Sequence, residues 1–137
     1  MRKIKYKKGR KLQPYNLEYT GIHKKTDSEI QLFVYDDLNF AEFADFNVSD
    51  LKKHIDTKKT NWLNIHGLND LSFLKSISAY FEIDNFMLAD ILNTTRRTKI
   101  EEQHDILFFN IKSLLPAGDL DNISAEKICF LLKDGVL

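Results

Sequence analysis

The sequence predicts an α/β fold, a layered sandwich in which a mixed β-sheet is flanked by short helices. Segments that alternate apolar and polar residues lie towards both ends of the chain, and two capped apolar repeats of helical period lie between them. At 137 residues and 43% hydrophobic, the chain is long enough to bury the core of one compact domain.

The first half of the chain is predicted to be sheet with one short helix. Alternation predicts strands at 17–22, 30–36, 41–46 and 59–67. Asn47 or Ser49 is expected to cap a short helix that begins near Asp50.

Two further helices are predicted from capping residues and apolar spacing. Asn69 or Asp70 is expected to cap one helix, and Asp84 a second at 85–93. The apolar residues of the second helix cluster on one side, which places Asp90 and Asn93 on the opposite, polar face. The basic residues that follow, Arg96, Arg97 and Lys99, are expected to complement the negative end of this helix.

The last section is predicted to be strand again. Strands at 106–115 and 123–132 are separated by a PAGD turn, and Lys133-Asp134-Gly135 suits a tight hairpin. Val136 and Leu137 then open another strand. We therefore expect residues 14–137 to form a single α/β domain that is truncated at its C-terminal edge.

The formal net charge of zero hides a basic arm at residues 1–13. Its charges leave 13 basic and 20 acidic residues in the rest of the chain, a formal charge of −7. Such an arm is either a solvated, flexible tail or a segment that contacts phosphate, in lipid headgroups or nucleic acid. The candidate contact residues are Arg2, Lys3, Lys5, Lys7, Lys8, Arg10 and Lys11.

Motifs for catalysis or for a self-contained metal site are not evident. There is no phosphate-binding loop, paired CxxC or HExxH, and the histidines, His23, His54, His66 and His104, have no zinc-ligand spacing. The adjacent Asp36 and Asp37 favour a solvated turn over a cation or acid/base pair. Cys129 lies in an apolar run and is interpreted as a core residue, so the chain has no intramolecular disulfide.

Four segments carry a family resemblance. WLNIHGLND at 62–70, LADILN at 88–93 and RRTKIE at 96–101, with a weaker match in YTGIH at 19–23, closely resemble the N-terminal cytoplasmic domain of CorA-type magnesium and cobalt transporters. In that family a strand pair, a long stalk helix and two membrane spans follow. The resemblance implies that the full-length protein is a homopentamer held in the inner membrane by those later helices.

The resemblance assigns a role to Asp90. In the family, this aspartate faces an acidic residue of the adjacent protomer, so Asp90 is implied to be a regulatory metal ligand for Mg²⁺ shared between two chains. A hard dication between two carboxylates screens their repulsion. Two departures are present: Ala89 stands where members commonly have a glutamate of a second cation site, and Thr98 replaces an exit-motif proline.

The resulting hypothesis is that the chain is the Mg²⁺-sensing, gating domain of a CorA-like transporter of magnesium, with cobalt and nickel as further candidates. The chain is then not an enzyme, is soluble by itself, lies at the cytoplasmic face of the inner membrane and is not expected to bind nucleic acid. Two alternatives stay open. One is the cytoplasmic domain of a related zinc transporter, and the other is a small nucleic-acid-binding module that uses the basic arm.

Overall fold

The strands form two antiparallel sheets of three strands each. The computed structural model describes residues 16–21, 27–117 and 119–137. The first sheet has the order β2-β1-β3 and the second the order β4-β5-β6. The strands are β1 (Glu29–Tyr35), β2 (Phe40–Ala44), β3 (Thr60–His66), β4 (Lys99–Gln103), β5 (Ile106–Ala117) and β6 (Asp119–Leu132). The α/β class is confirmed, with the strands divided between two sheets that a parallel bridge from Asn61 to Val136 connects.

Three short helices complete the described fold. A 3₁₀ turn at Val48–Asp50 runs into α1 (Leu51–His54), and α2 (Leu71–Tyr80) and α3 (Asn85–Leu92) follow β3. The predicted caps of the two longer helices are confirmed, because Asp70 accepts from Phe73 N at 3.0 Å and Asp84 from Met87 N at 2.8 Å. The helix predicted near Asp50 is also present, although Asn47 makes no side-chain capping bond.

The core lies between the sheets and the helices. Leu32, Val34 and Leu51 join α1 to the first sheet. Leu74 of α2 meets Leu88 and Leu92 of α3, and the other side of α3 packs on the second sheet. That last contact consists of Met87, Ile91, Ile106 and Phe108. Helix α3 is therefore held on two sides, which fixes the position of its C-terminal end.

Two elements differ from the prediction. The strand expected at 17–22 is wrong, because residues 16–21 form no regular strand and the N–H of Thr20 instead donates to Leu92 O at the end of α3. Conversely, β4 was not predicted, since its sequence KIEEQ lacks the apolar alternation of the other strands. The basic arm at 1–13 and Gly118 of the PAGD turn lie outside the described residues.

The chain after β6 returns to the first sheet. Asp134 and Gly135 have positive φ angles, as the predicted tight turn requires. The turn brings Leu137 beside β3, where its N–H donates to Asn61 O at 2.9 Å and its carbonyl accepts from Leu63 N at 2.7 Å.

Candidate functional site

Asp90 lies in the last turn of α3 and is largely covered. Its side chain is only 13% exposed, and Asn93, which was expected on the same polar face, is buried. The prediction that this side of the helix is a polar face was therefore wrong, because the chain after α3 and strand β6 both pack against it. Ala89 is also buried, so this position faces the protein interior.

Each oxygen of the Asp90 carboxylate is paired with a cation from the segment that follows α3. Arg96 Nε lies 2.6 Å from Oδ1, and Lys99 Nζ lies 2.7 Å from Oδ2. Lys99 also pairs with Glu101. Burial alone would lower the pKa of Lys99, but its hydrogen bonds to Asp90 and Glu101 outweigh this and hold the pKa above its usual value.

Lys127 of β6 occupies the carbonyl end of α3. Its ammonium donates to the carbonyl oxygens of Asp90, Ile91 at 3.1 Å and Asn93 at 3.0 Å. These carbonyls are among those that a helix leaves without partners. The predicted role of the basic triplet is thus corrected: Lys127 binds the helix end, while Arg96 and Lys99 bind the Asp90 side chain.

Cys129 lies two residues beyond Lys127 on the same strand and packs against the cluster formed by α3 and the second sheet. The interpretation of Cys129 as a core residue is confirmed. Burial raises the pKa of the Cys129 thiol, and the nearby Lys127 ammonium opposes that shift. Burial also lowers the pKa of Lys127. A thiol with a raised pKa is a poor nucleophile at neutral pH.

A second set of polar contacts fixes the chain as it leaves α3. Asn93 Oδ1 accepts from Thr95 N at 3.0 Å and from Thr95 Oγ1 at 2.8 Å. Thr20 Oγ1 accepts from Thr94 N at 2.9 Å. Because these bonds define the path of residues 93–95, they position the segment that carries Arg96 and Lys99.

A cavity of about 270 Å³ opens beside the Asp90 carboxylate. Among the described residues, no group of three or more His, Cys, Asp or Glu side chains is placed to hold a metal ion. The polar side chains that line the cavity carry mixed charges: two are acidic, two are basic and one is an amide. Its lining residues are Phe86, Met87, Asp90, Arg96, Lys99, Glu101 and Gln103.

Asp36 of the Asp36-Asp37 pair organises the turn between β1 and β2. It accepts from Leu38 N and Asn39 N, both at 2.8 Å, and pairs with Lys59 at 3.2 Å. The Leu38 bond contributes most to lowering the pKa of Asp36 to about 2. These contacts agree with the turn interpretation.

The described histidines are spread over the fold. The His54 ring contacts the rings of Phe43 and Phe46, with centroid distances of 4.3 Å and 5.0 Å. His66 hydrogen-bonds to Asn64 at 2.9 Å. His104 occupies the turn after β4 with a φ of 48°. His23 and the seven basic residues of the arm lie outside the described residues.

Three residues of the site were not predicted from the sequence: Thr20, Glu101 and Lys127. For Lys127, a signal was present in the period-two pattern of β6, because Lys127 must share a face with Cys129 and Leu131, which pack on the core. For Glu101, the signal was the two-residue spacing from Lys99, which places both side chains on one face of a strand, but β4 itself was not predicted. No local signal points to Thr20, whose partner Thr94 lies 74 positions away.

Comparison with known proteins finds a similarity over nearly the whole chain. No family model matches the chain. Over 131 residues, or 96% of its length, the chain is 28% identical to the cobalt/magnesium transport protein CorA of Thermotoga maritima. The chain is similar to part of a transport protein. It spans 36% of that relative's length, and no helix among the described residues is long and apolar enough to cross a membrane.

Proposed function

We propose that this chain is the regulatory domain of a CorA-like divalent cation transporter, at the cytoplasmic face of the inner membrane, and that magnesium bound at Asp90 favours the closed transporter. The observation that carries this proposal is the similarity of nearly the whole chain to 36% of a cobalt/magnesium transport protein. The relative is named as a transport protein, and the proposed role of this chain is likewise not enzymatic.

Asp90 supplies the chemistry that this role needs. Mg²⁺ prefers oxygen ligands, keeps most of its water and is commonly held by one or two carboxylates. In the proposed pentamer, Asp90 contributes one carboxylate and an acidic residue of a neighbouring protomer contributes another. In the described conformation both Asp90 oxygens are paired with cations, so the chain alone does not fit a tight magnesium site.

A magnesium-inhibition assay of the intact transporter tests this proposal. Uptake into liposomes would be measured against internal magnesium for the wild type, Asp90→Asn and Asp105→Asn. The matched control Asp105 is an exposed carboxylate in the turn after β4. Asp90→Asn should require more magnesium for inhibition, because a ligand shifts a conformational equilibrium only by its differential binding.

Asp105→Asn should follow the wild-type curve. Coincident inhibition curves for wild type and Asp90→Asn would remove Asp90 from the sensing mechanism. An intact protein that carries no divalent cation would remove the transporter proposal itself.

A further inference from the structure

The three helices of the described chain pack on one side of the two sheets. Helix α1 packs on Leu32 and Val34 of the first sheet, and α3 packs on Ile106 and Phe108 of the second. Ile65 of β3 contacts the cluster that joins α2 to α3. Since successive strand residues point to opposite faces, the residues between these positions form a second side, opposite the helices.

The second sheet presents apolar side chains on the side opposite the helices. Phe109 lies across from Ile100 of β4 and Phe130 of β6. Ile100 is 68% exposed and Leu132 is 42% exposed. No side chain of this set belongs to a core cluster of the described residues. We call the set the open face, and its members are Ile100, Phe109, Ile111, Ile128, Phe130 and Leu132.

The sequence pattern of β5 and β6 is that of strands covered on both faces. An antiparallel sheet with one solvated face alternates apolar and polar residues. Here residues 106–109 read ILFF and residues 128–132 read ICFLL, and such uninterrupted apolar runs are typical of strands buried on both sides. Because the described helices cover only one of those sides, the open face is a docking surface.

The charged groups that border the open face are acidic. Glu102 shares this face with Ile100 on β4, and Glu126 shares it with Ile128 on β6. The lysines of the same strands stand on the opposite face by the same alternation; they are Lys99, Lys112 and Lys127. A partner that fits the open face therefore has an apolar stripe bordered by basic residues.

The chain after β6 lies next to the open face. Val136 forms bridges to Asn61 of β3 and to Lys133, so it lies between the two sheets and close to Leu132 of the open face. The chain spans 36% of the length of the CorA relative. In the proposed transporter, the polypeptide that follows Leu137 therefore starts between the sheets, within reach of the open face.

We propose that an amphipathic helix from the polypeptide that follows Leu137 in the intact transporter packs on the open face, with basic residues beside Glu102 and Glu126. The proposal rests on the proposed function for the existence of that polypeptide. Helices α1–α3 then cover one side of the strands and the later helix covers the other, as in layered α/β folds. The docked helix also contacts β4, whose Lys99 pairs with Asp90.

Thiol labelling of the purified intact protein and of the 137-residue chain tests the proposal. Both proteins carry Cys129→Ala, so that Ile100→Cys supplies the reactive thiol. A maleimide should label Ile100→Cys readily in the chain and at least about tenfold more slowly in the intact protein, because a covered thiol reacts only when the structure opens locally. The control Lys75→Cys, at an exposed position of α2, should react at the same rate in both proteins.

Equal labelling rates for Ile100→Cys in the two proteins would overturn the proposal, since the face would then be uncovered in the transporter. Slow labelling in the 137-residue chain would also overturn it, because that chain or a second copy of it would already cover the face. Should Ile100→Cys fold poorly, Leu132→Cys provides the same comparison.

A photo-reactive phenylalanine analogue at Phe109 identifies what covers the open face. After illumination of the purified intact protein, the adduct should join Phe109 to a peptide that follows Leu137 and should keep the mass of one protomer. An adduct with the mass of two protomers would make a second copy the occupant, and an adduct to lipid or detergent alone would make the face a membrane contact. Either result overturns the proposal, as does the absence of any adduct.

Failure of this inference is distinguishable from failure of the proposed function. Labelling and cross-linking require no cation and report on the contacts of the open face, whereas the liposome assay reports on transport and its inhibition. Equal labelling rates would leave the transport result standing. An intact protein that carries no divalent cation would leave a cross-link from Phe109 to the later polypeptide standing.

Discussion

At the scale of single residues, Asp90 has a structural role that its position in the sequence does not reveal. We expect Asp90→Asn to lower the free energy of unfolding by about 1–2 kcal/mol, because it removes a mostly covered carboxylate that accepts from two cations. Because asparagine preserves the size of the side chain, the expected loss of stability is due to the removed charge. Urea unfolding of the isolated chain provides the measurement.

Asp105→Asn is the matched control for this loss of one negative charge. It should change stability by less than about 0.5 kcal/mol, since exposed positions away from specific contacts are usually tolerant. Equal stabilities for the wild type and Asp90→Asn would show that the two ion pairs contribute nothing net to folding.

A second prediction for a single residue concerns Asp36 and the pH dependence of the free energy of unfolding. Its folded-state pKa of about 2 lies below the ordinary value of 3.8. The ionised carboxylate therefore stabilises the fold fully above about pH 4, and this contribution is lost as the pH falls through 2. The stability advantage of wild type over Asp36→Asn should shrink between pH 5 and pH 2, measured by urea unfolding at several pH values.

The neighbouring Asp37→Asn controls for the removed charge. The amides of the turn donate to Asp36, so this control should not reproduce the pH-dependent difference. If the free energies of unfolding of wild type and Asp36→Asn fall in parallel as the pH is lowered, the turn contacts do not stabilise the ionised Asp36 carboxylate over its protonated form.

At the scale of elements, the end of α3 depends on a lysine from another element. We expect Lys127→Met to lower the free energy of unfolding by about 1–3 kcal/mol, because it leaves carbonyl groups of the last turn without their donor. Methionine retains most of the aliphatic volume. Lys112→Met is the matched control, since Lys112 is the exposed cross-strand neighbour of Lys127 on β5.

Thermal unfolding of both variants separates the loss of the donor at the end of α3 from the loss of a positive charge. A melting temperature of Lys127→Met at or above that of Lys112→Met would contradict the capping role. In that case, the desolvation of the buried ammonium would outweigh its hydrogen bonds.

The elements that sequence reasoning found are those whose signals are local. The caps Asp70 and Asp84 and the alternation in β1, β3, β5 and β6 depend on residues a few positions apart. The charged edge strand β4 and the attachment of residues 16–21 depend instead on tertiary partners. The same distinction explains the site: Asp90 was identified, but Lys127 contacts it from 37 positions away.

At the scale of the whole molecule, α3 links the parts of the fold. It packs on the second sheet through Met87 and Ile91 and on α2 through Leu88 and Leu92. The chain after β6 also returns to β3 of the first sheet. A change at the end of α3 therefore acts on a helix in contact with both α2 and the second sheet, which is a suitable place for a proposed sensor.

The last prediction concerns the N-terminal region, where two truncations test the charged arm and the packed segment independently. Leu17 and Tyr19 pack against the Leu74, Leu88 and Leu92 cluster. Deleting residues 1–11 should leave the melting temperature almost unchanged, since so charged a stretch with one aromatic residue has little apolar area to bury.

Deleting residues 1–20 should have a much larger effect. Loss of Leu17 and Tyr19 removes about 2–4 kcal/mol of apolar burial, and loss of Thr20 removes its hydrogen bonds to Leu92 and Thr94. The melting temperature should fall by roughly 10 °C for a domain of this size. A drop of that size on deleting residues 1–11 alone would mean that the arm packs on the domain, whereas no drop on deleting residues 1–20 would mean that the segment at 16–20 does not hold α3 in place.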